Sequence, residues 1–72
     1  MKIYKDGELI ADLPSKPKNL DCGCREGVIS IVIGNDDVRL AKYSSQEIGG
    51  AVQEELCKAY LADAEEFNLP NE

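Results

Sequence analysis

Apolar and polar residues alternate with a period of two as far as Tyr43, then recur at helical spacing. Alternation sends successive side chains to opposite faces of a strand, whereas a 3.6-residue period draws one stripe along a helix. Lys2–Lys5 and Glu8–Leu13 read as strands on either side of Asp6-Gly7. Asp-Gly suits a two-residue hairpin turn, because both turn positions need positive φ. This hairpin sets Tyr4 opposite Leu9 and Ile3 opposite Ile10. Pro14-Ser15-Lys16-Pro17-Lys18 then interrupts the ladder, since proline brings no N–H to it. Asn19–Arg25, Val28–Gly34 and Asp37–Tyr43 supply three further strands, joined at Glu26-Gly27 and Asn35-Asp36.

Two-residue loops at both joints make the registers agree. Cys24 faces Ile29, Cys22 faces Ile31, Val38 faces Ile33 and Leu40 faces Ile31. One sheet face then collects Leu20, Cys22, Cys24, Ile29, Ile31, Ile33, Val38 and Leu40. A one-residue slip in any strand would turn its apolar set outward, so the agreement specifies the register. The opposite face collects Asp21, Gly23, Arg25, Val28, Ser30, Val32, Arg39, Ala41 and Tyr43.

The helical period predicts one long helix over Ser44–Phe67. Ser44 and Glu47 have the spacing of a capping box, flanked by Tyr43 and Ile48 at the positions of a hydrophobic staple. Ile48, Val52, Leu56, Ala59, Tyr60 and Phe67 form a stripe wide enough for one sheet face, and Asn68-Leu69-Pro70 ends the helix. Gly49-Gly50 costs roughly 1 kcal/mol per residue relative to alanine, which points to close approach of another backbone. Cys57, Leu61 and Ala64 widen the apolar arc beyond what a small sheet covers. The expectation is a homo-oligomer, with Cys57, Leu61, Ala64, Gly49 and Gly50 at its interface. The predicted fold is α+β: an antiparallel meander of about five strands with one long C-terminal helix packed on one face, in a single domain over residues 1–72.

The chain has a net charge of −6, unevenly spread. Up to Tyr43, seven basic side chains balance seven acidic ones. Over Ser44–Phe67, six acids stand against Lys58, a local charge of −5. That disfavours direct binding of a nucleic-acid backbone by this segment. No apolar run is long enough to span a bilayer, and the N-terminus lacks the apolar core of a signal peptide. The expected compartment is therefore the cytoplasm, with no membrane partner. Three cysteines, an odd number without a leader, point to thiols rather than a disulfide framework. The absence of histidine removes the commonest general acid/base and the commonest zinc ligand.

Cys22-Gly23-Cys24 admits three readings. As neighbours on the inward face, the two cysteines act as small hydrophobes of the core. With Cys57 they would make a metal clip between chains, although a structural zinc site wants four ligands. A redox pair is the third. No metal or cofactor is expected on this basis. Catalysis lacks a histidine, a phosphate-cradling glycine loop and paired carboxylates in a cleft, so the chain reads as a non-enzyme. The preferred ligand site is Arg25, Ser30, Arg39 and Tyr43, with Gly23 leaving a gap among them. Two guanidiniums beside a phenol ring suit a phosphate and a base, or a carboxylate-bearing partner. The plainer alternative is a cross-strand Asp21–Arg39 pair with Arg25 solvated. A competing surface is the acidic helix, where Glu54, Glu55, Lys58 and Glu65 would meet a basic groove.

The run Val38-Arg39-Leu40-Ala41-Lys42-Tyr43-Ser44-Ser45-Gln46-Glu47-Ile48, followed by Val52 and Leu56, resembles a pattern in small phage and prophage proteins. There a β-hairpin ends in a Tyr-Ser-type cap before a Glu-rich helix. The group includes inhibitors of bacterial defence, some sequestering nucleotide messengers as oligomers and others capping a protein surface. The resemblance implies a phage accessory protein that takes up a nucleotide-like anion in the host cytoplasm. Its alternatives are a blocker of a host defence protein and a small structural oligomerisation module.

Overall fold

The computed structural model describes residues 1–14, 21–33 and 35–72. In chain order its elements are β1 (Lys2–Lys5), β2 (Glu8–Asp12), β3 (Cys22–Arg25), β4 (Val28–Ile33), β5 (Asp36–Lys42), α1 (Gln46–Leu61) and β6 (Glu66–Leu69). The class is α+β, as expected, but the strands divide into two sheets ordered β2-β1-β6 and β3-β4-β5. The single five-stranded meander does not form. Pro14 lacks an N–H to continue the ladder of the first hairpin, and the second edge of β1 is taken by β6, which runs parallel to it. Leu20, counted above with the core face, the break over residues 15–18 and Gly34 lie outside the described residues. No helix among the described residues is long and apolar enough to cross a membrane.

Both two-residue turns read from glycine are present. Asp6-Gly7 has φ values of 52° and 80°, and Glu26-Gly27 has 53° and 80°, both left-handed pairs that match the twist of a hairpin. Tyr4 faces Leu9 as expected, but an irregularity beside it sets Ile3 opposite Ala11 rather than Ile10. Cys22 faces Ile31 and Cys24 faces Ile29, as read from the alternation. The next joint differs. Ile33 pairs with Asp36, so the loop lies one residue earlier than Asn35-Asp36, and Val38 faces Ile31. A bulge follows, because Ser30 pairs with Arg39 while Ile29 pairs with Ala41. The extra residue, Leu40, points inward together with Ala41, and the alternation changes phase from there on.

Helix α1 starts and stops at positions other than those expected. Its N-cap is Ser45, in an extended conformation with Oγ accepting from the Ile48 N–H at 3.2 Å. Ser44 instead gives its N–H to the Glu72 carboxylate, so neither the capping box nor the staple forms. Ile48, the third residue of the shifted helix, stays 39% exposed. The buried stripe is Gly49, Val52, Leu56 and Tyr60. At the other end Asp63 takes φ 60°, its N–H bonds to the Tyr60 carbonyl, and the Ala64 N–H bonds to the Ala59 carbonyl. This pair of bonds is a Schellman closure, with aspartate at the position glycine usually holds. Phe67 therefore belongs to β6 and not to the helix, and Glu66–Leu69 alternates outward and inward to bury Leu69.

Ile3 from one sheet, Ile29 and Ile31 from the other, and Leu56 from α1 are fully enclosed and mark where the layers meet. Cys22, Cys24, Ile33 and Val38 are half-buried against this core. Tyr60 donates its hydroxyl to the Pro14 carbonyl at 2.6 Å and so pins the chain where it leaves β2. Gly49 lies so close to the β3–β4 turn that a Cβ there would sit 2.9 Å from both Cα and O of Gly27.

Alternate residues of an antiparallel strand bond to the neighbour, and Asp21 gives its carbonyl to Val32 of β4. The carbonyls of Cys22 and Cys24 therefore face the free edge of β3. There Gln53 Nε2 donates to Cys22 O at 3.3 Å and Gln46 Nε2 donates to Cys24 O at 2.9 Å. Gln46 Oε1 also accepts from the Gly27 N–H at 3.1 Å. Two glutamines of α1 thus take the place of a fourth strand and close an edge that could otherwise pair with another chain.

Candidate functional site

The outer face of β3-β4-β5 follows directly from the register. Ser30 stands between Gly23 on β3 and Arg39 on β5, in one cross-strand row. Val28 stands between Arg25 and Lys42 in the adjoining row. Gly23, Arg25, Arg39 and Lys42 are exposed, and Ser30 and Val28 are half-buried. No atom comes within 4 Å of the place a Gly23 side chain would occupy, so the gap beside Ser30 is open. β3 and β5 lie two strand spacings apart, about 10 Å, a span that two arginines can bridge over β4. Among the described residues neither guanidinium is held in an ion pair. Asp21 belongs to the row of Val32 and Asp37, one row away from Arg39, so the cross-strand Asp21–Arg39 pair is not made. The face therefore has a cationic end, Arg25–Arg39–Lys42, and an acidic end, Asp21–Asp37.

Tyr43 is not part of it. The bulge at Leu40 reverses the phase of the strand, which turns Lys42 outward and Tyr43 inward. Tyr43 is 3% exposed, and its hydroxyl donates to the Pro70 carbonyl at 2.7 Å. Its N–H donates to Gly27 O at 2.8 Å, and Lys5 Nζ lies 5.7 Å from the centre of its ring. Burial raises its phenol pKa above the usual range, with the negative charges of Glu72 and Asp6 adding to the effect. The ring braces the two sheets and the C-terminal segment, and it cannot stack on a ligand at the cationic face. Lys42, which the sequence reading left out, takes its place. The signal was Leu40-Ala41, two consecutive inward-type residues between Arg39 and Lys42, which an unbroken alternation cannot accommodate.

The residues expected at a subunit interface are mostly used within the chain. Gly49 packs on the β3–β4 turn, and Cys57 accepts from Gln53 Nε2 at 3.5 Å beside Cys22. Ala64 is half-buried in the helix closure, and Gly50 is half-buried with nothing nearer to a side chain there than Gln46 Nε2 at 4.0 Å. Leu61 alone is prominent, at 64% exposed. The helical acidity also falls. Within Gln46–Leu61, Glu47, Glu54 and Glu55 stand against one lysine, a charge of −2, because Asp63, Glu65 and Glu66 follow the helix end. Glu55 and Lys58 pair with each other at 3.6 Å across a solvated turn.

No cavity opens among the described residues, and no group of three or more of them has the make-up of a metal site. The cationic sheet end is thus a flat surface with three fixed positive charges, one hydroxyl and one open glycine. Such a surface can hold the oxygens of a phosphate or carboxylate by charge-assisted hydrogen bonds. Comparison with protein-family models, with curated proteins and with solved structures finds no match to this chain.

Proposed function

We propose that the protein is a non-enzymatic binding protein that holds a phosphate-bearing, nucleotide-like anion on the outer face of β3-β4-β5. The observation that carries this reading is the gathering of Arg25, Arg39 and Lys42 around Ser30 and Gly23, in a chain whose net charge is −6. An acidic protein that concentrates unpaired cations at one end of a sheet has a local field opposite in sign to its overall one. Arg39 and Arg25 take phosphate oxygens from either side of β4, Lys42 adds a third charge, and Ser30 donates from below. With Tyr43 turned inward, recognition rests on the phosphate and leaves the base nearly unread. The likeness of Val38–Ile48 to small phage proteins supports placing that ligand among the nucleotide signals of a host defence. The rival use of the helix as an acidic blocker loses support, because α1 carries only −2 and pairs one of its acids internally.

Calorimetric titration with a nucleoside diphosphate and with a cyclic dinucleotide tests the proposal. Arg39→Ala should weaken binding about ten- to a hundredfold, the usual effect of losing hydrogen bonds to a charged group. Its melting temperature should stay near that of the parent, because the side chain is exposed. Charge reversal at Glu54 and Glu55 should leave binding unchanged. Equal affinity of Arg39→Ala and the parent would reject the sheet-face site.

A further inference from the structure

Three thiols line the seam between β3 and α1, and one glutamine amide bridges the residues that carry two of them. Cys24 donates to Gln46 Oε1 at 3.7 Å near the start of the helix. Cys22 and Cys57 sit under one amide, since Gln53 Nε2 donates to Cys22 O at 3.3 Å and to Cys57 Sγ at 3.5 Å. Gln46 and Cys57 are eleven residues apart, about 16 Å along the helix, so Cys24 is held well away from Cys57. Cys22, Cys24 and Cys57 are all free thiols and all half-buried, so a small oxidant can reach them. The pair lies 35 residues apart in sequence and joins an edge strand to the helix that closes it.

We infer that Cys22 and Cys57 form a dithiol that closes to an intrachain disulfide on exposure to a peroxide, stapling α1 to β3, with Cys24 left free. Peroxide transfers one oxygen to the Cys57 sulfur, giving a sulfenic acid and one water. The Cys22 sulfur then attacks the Cys57 sulfur, the sulfur–oxygen bond breaks, and the hydroxyl leaves as a second water with the proton of Cys22. The two thiols give up two electrons, and the peroxide is reduced. The order of events follows from the surroundings. Burial first, and then Cys57, push the Cys22 thiol up to about 12, so peroxide oxidises Cys57 first and Cys22, placed beside it by Gln53, resolves by giving its proton to the departing hydroxyl as it attacks. The strand that carries Gly23 and Arg25 on its outer face would thereby be tied to the helix through its inner face.

The test treats the full chain with hydrogen peroxide and maps the product by peptide mass spectrometry, with fragmentation at Gly23 separating Cys22 from Cys24. The expected product is a monomer that has lost two hydrogens, linked Cys22 to Cys57, with Cys24 still open to alkylation. Cys24→Ser should give the same link, and Cys57→Ser should give no intrachain disulfide. The oxidised chain should melt at a higher temperature than the reduced one, because the link restricts the unfolded chain. A Cys22–Cys24 link, a covalent dimer as the main product, or Cys57 driven to sulfinic acid with Cys22 still free would each overturn the inference. So would a correct link that lowers the melting temperature, since the helix would then have to move to make it.

Discussion

Gly49→Ala and Gly50→Ala should differ in their effect on stability, although the residues are adjacent in one helix. Intrinsic propensity favours alanine at both positions by about 0.8–1 kcal/mol. At Gly50 nothing opposes that gain, because the nearest atom to a new Cβ is Gln46 Nε2 at 4.0 Å. At Gly49 the new methyl would meet Cys24 Sγ at 2.8 Å and the Gly27 Cα and O at 2.9 Å. The Gly27 atoms are backbone and cannot rotate away. They belong to a left-handed turn whose own added Cβ would strike the Tyr43 carbonyl, so the turn has no room to retreat. Overpacking of this kind costs about 1–3 kcal/mol, which cancels or exceeds the propensity gain. Gly50→Ala should therefore be the more stable of the two by about 1–3 kcal/mol, an amount that separates melting temperatures in a domain of this size by several degrees. Urea denaturation followed by circular dichroism measures the difference, with an unchanged slope showing that the unfolding reaction is the same. Equal stabilisation by both substitutions would mean that α1 does not rest on the β3–β4 turn, and the packing described above would be wrong.

Further expectations rest on single observations. Ile31→Ala removes a side chain with no exposure at the centre of the sheet-helix contact and should cost about 2–5 kcal/mol by denaturant titration. Tyr43→Phe removes the bond to the Pro70 carbonyl and should cost about 0.5–1.5 kcal/mol, with anion binding unchanged because the ring is not at the cationic face. Stability should fall with alkaline pH: Cys22, raised from 9.0 to about 12, contributes stability that is complete below pH 9 and lost as the pH climbs toward 12. Tyr43, also raised, adds to the same loss above its ordinary value of 10.0. Cys22→Ala should flatten the first part of this pH profile, and a profile identical to the parent's would contradict the assignment.

What could be read in the sequence was whatever period and turn chemistry fix locally. Asp6-Gly7 and Glu26-Gly27 demand left-handed residues, and that requirement alone set the first two hairpins. The pairing of Cys22 with Ile31 and Cys24 with Ile29 followed from alternation. Three features were decided by longer-range competition. Helix-compatible alanines at 62 and 64 let the helical period run past its true end, and a left-handed Asp63 stops it. Ser44 and Ser45 are both able to cap, and the chain uses Ser45 while Ser44 turns to Glu72. The parallel partnership of β6 with β1 joins the two ends of the described chain, and no local pattern encodes it. At the candidate site, Arg25, Ser30, Arg39 and Gly23 share the outer face expected for them. The bulge that exchanges Tyr43 for Lys42 depends on how Leu40 and Ala41 both find the core, which alternation alone does not express.

Whether an anion settles on the cationic end of β3-β4-β5 is decided by an amide-resolved NMR titration. The probe is a nucleoside diphosphate added to the full chain at low and at moderate salt. Binding at this face should give saturable shifts confined to Gly23, Arg25, Ser30, Arg39 and Lys42, still amides in the outer turns of α1, and weaker binding as salt screens the charges. Shifts centred on Glu54, Glu55 and Leu61, or an unperturbed sheet at saturating nucleotide, would contradict it.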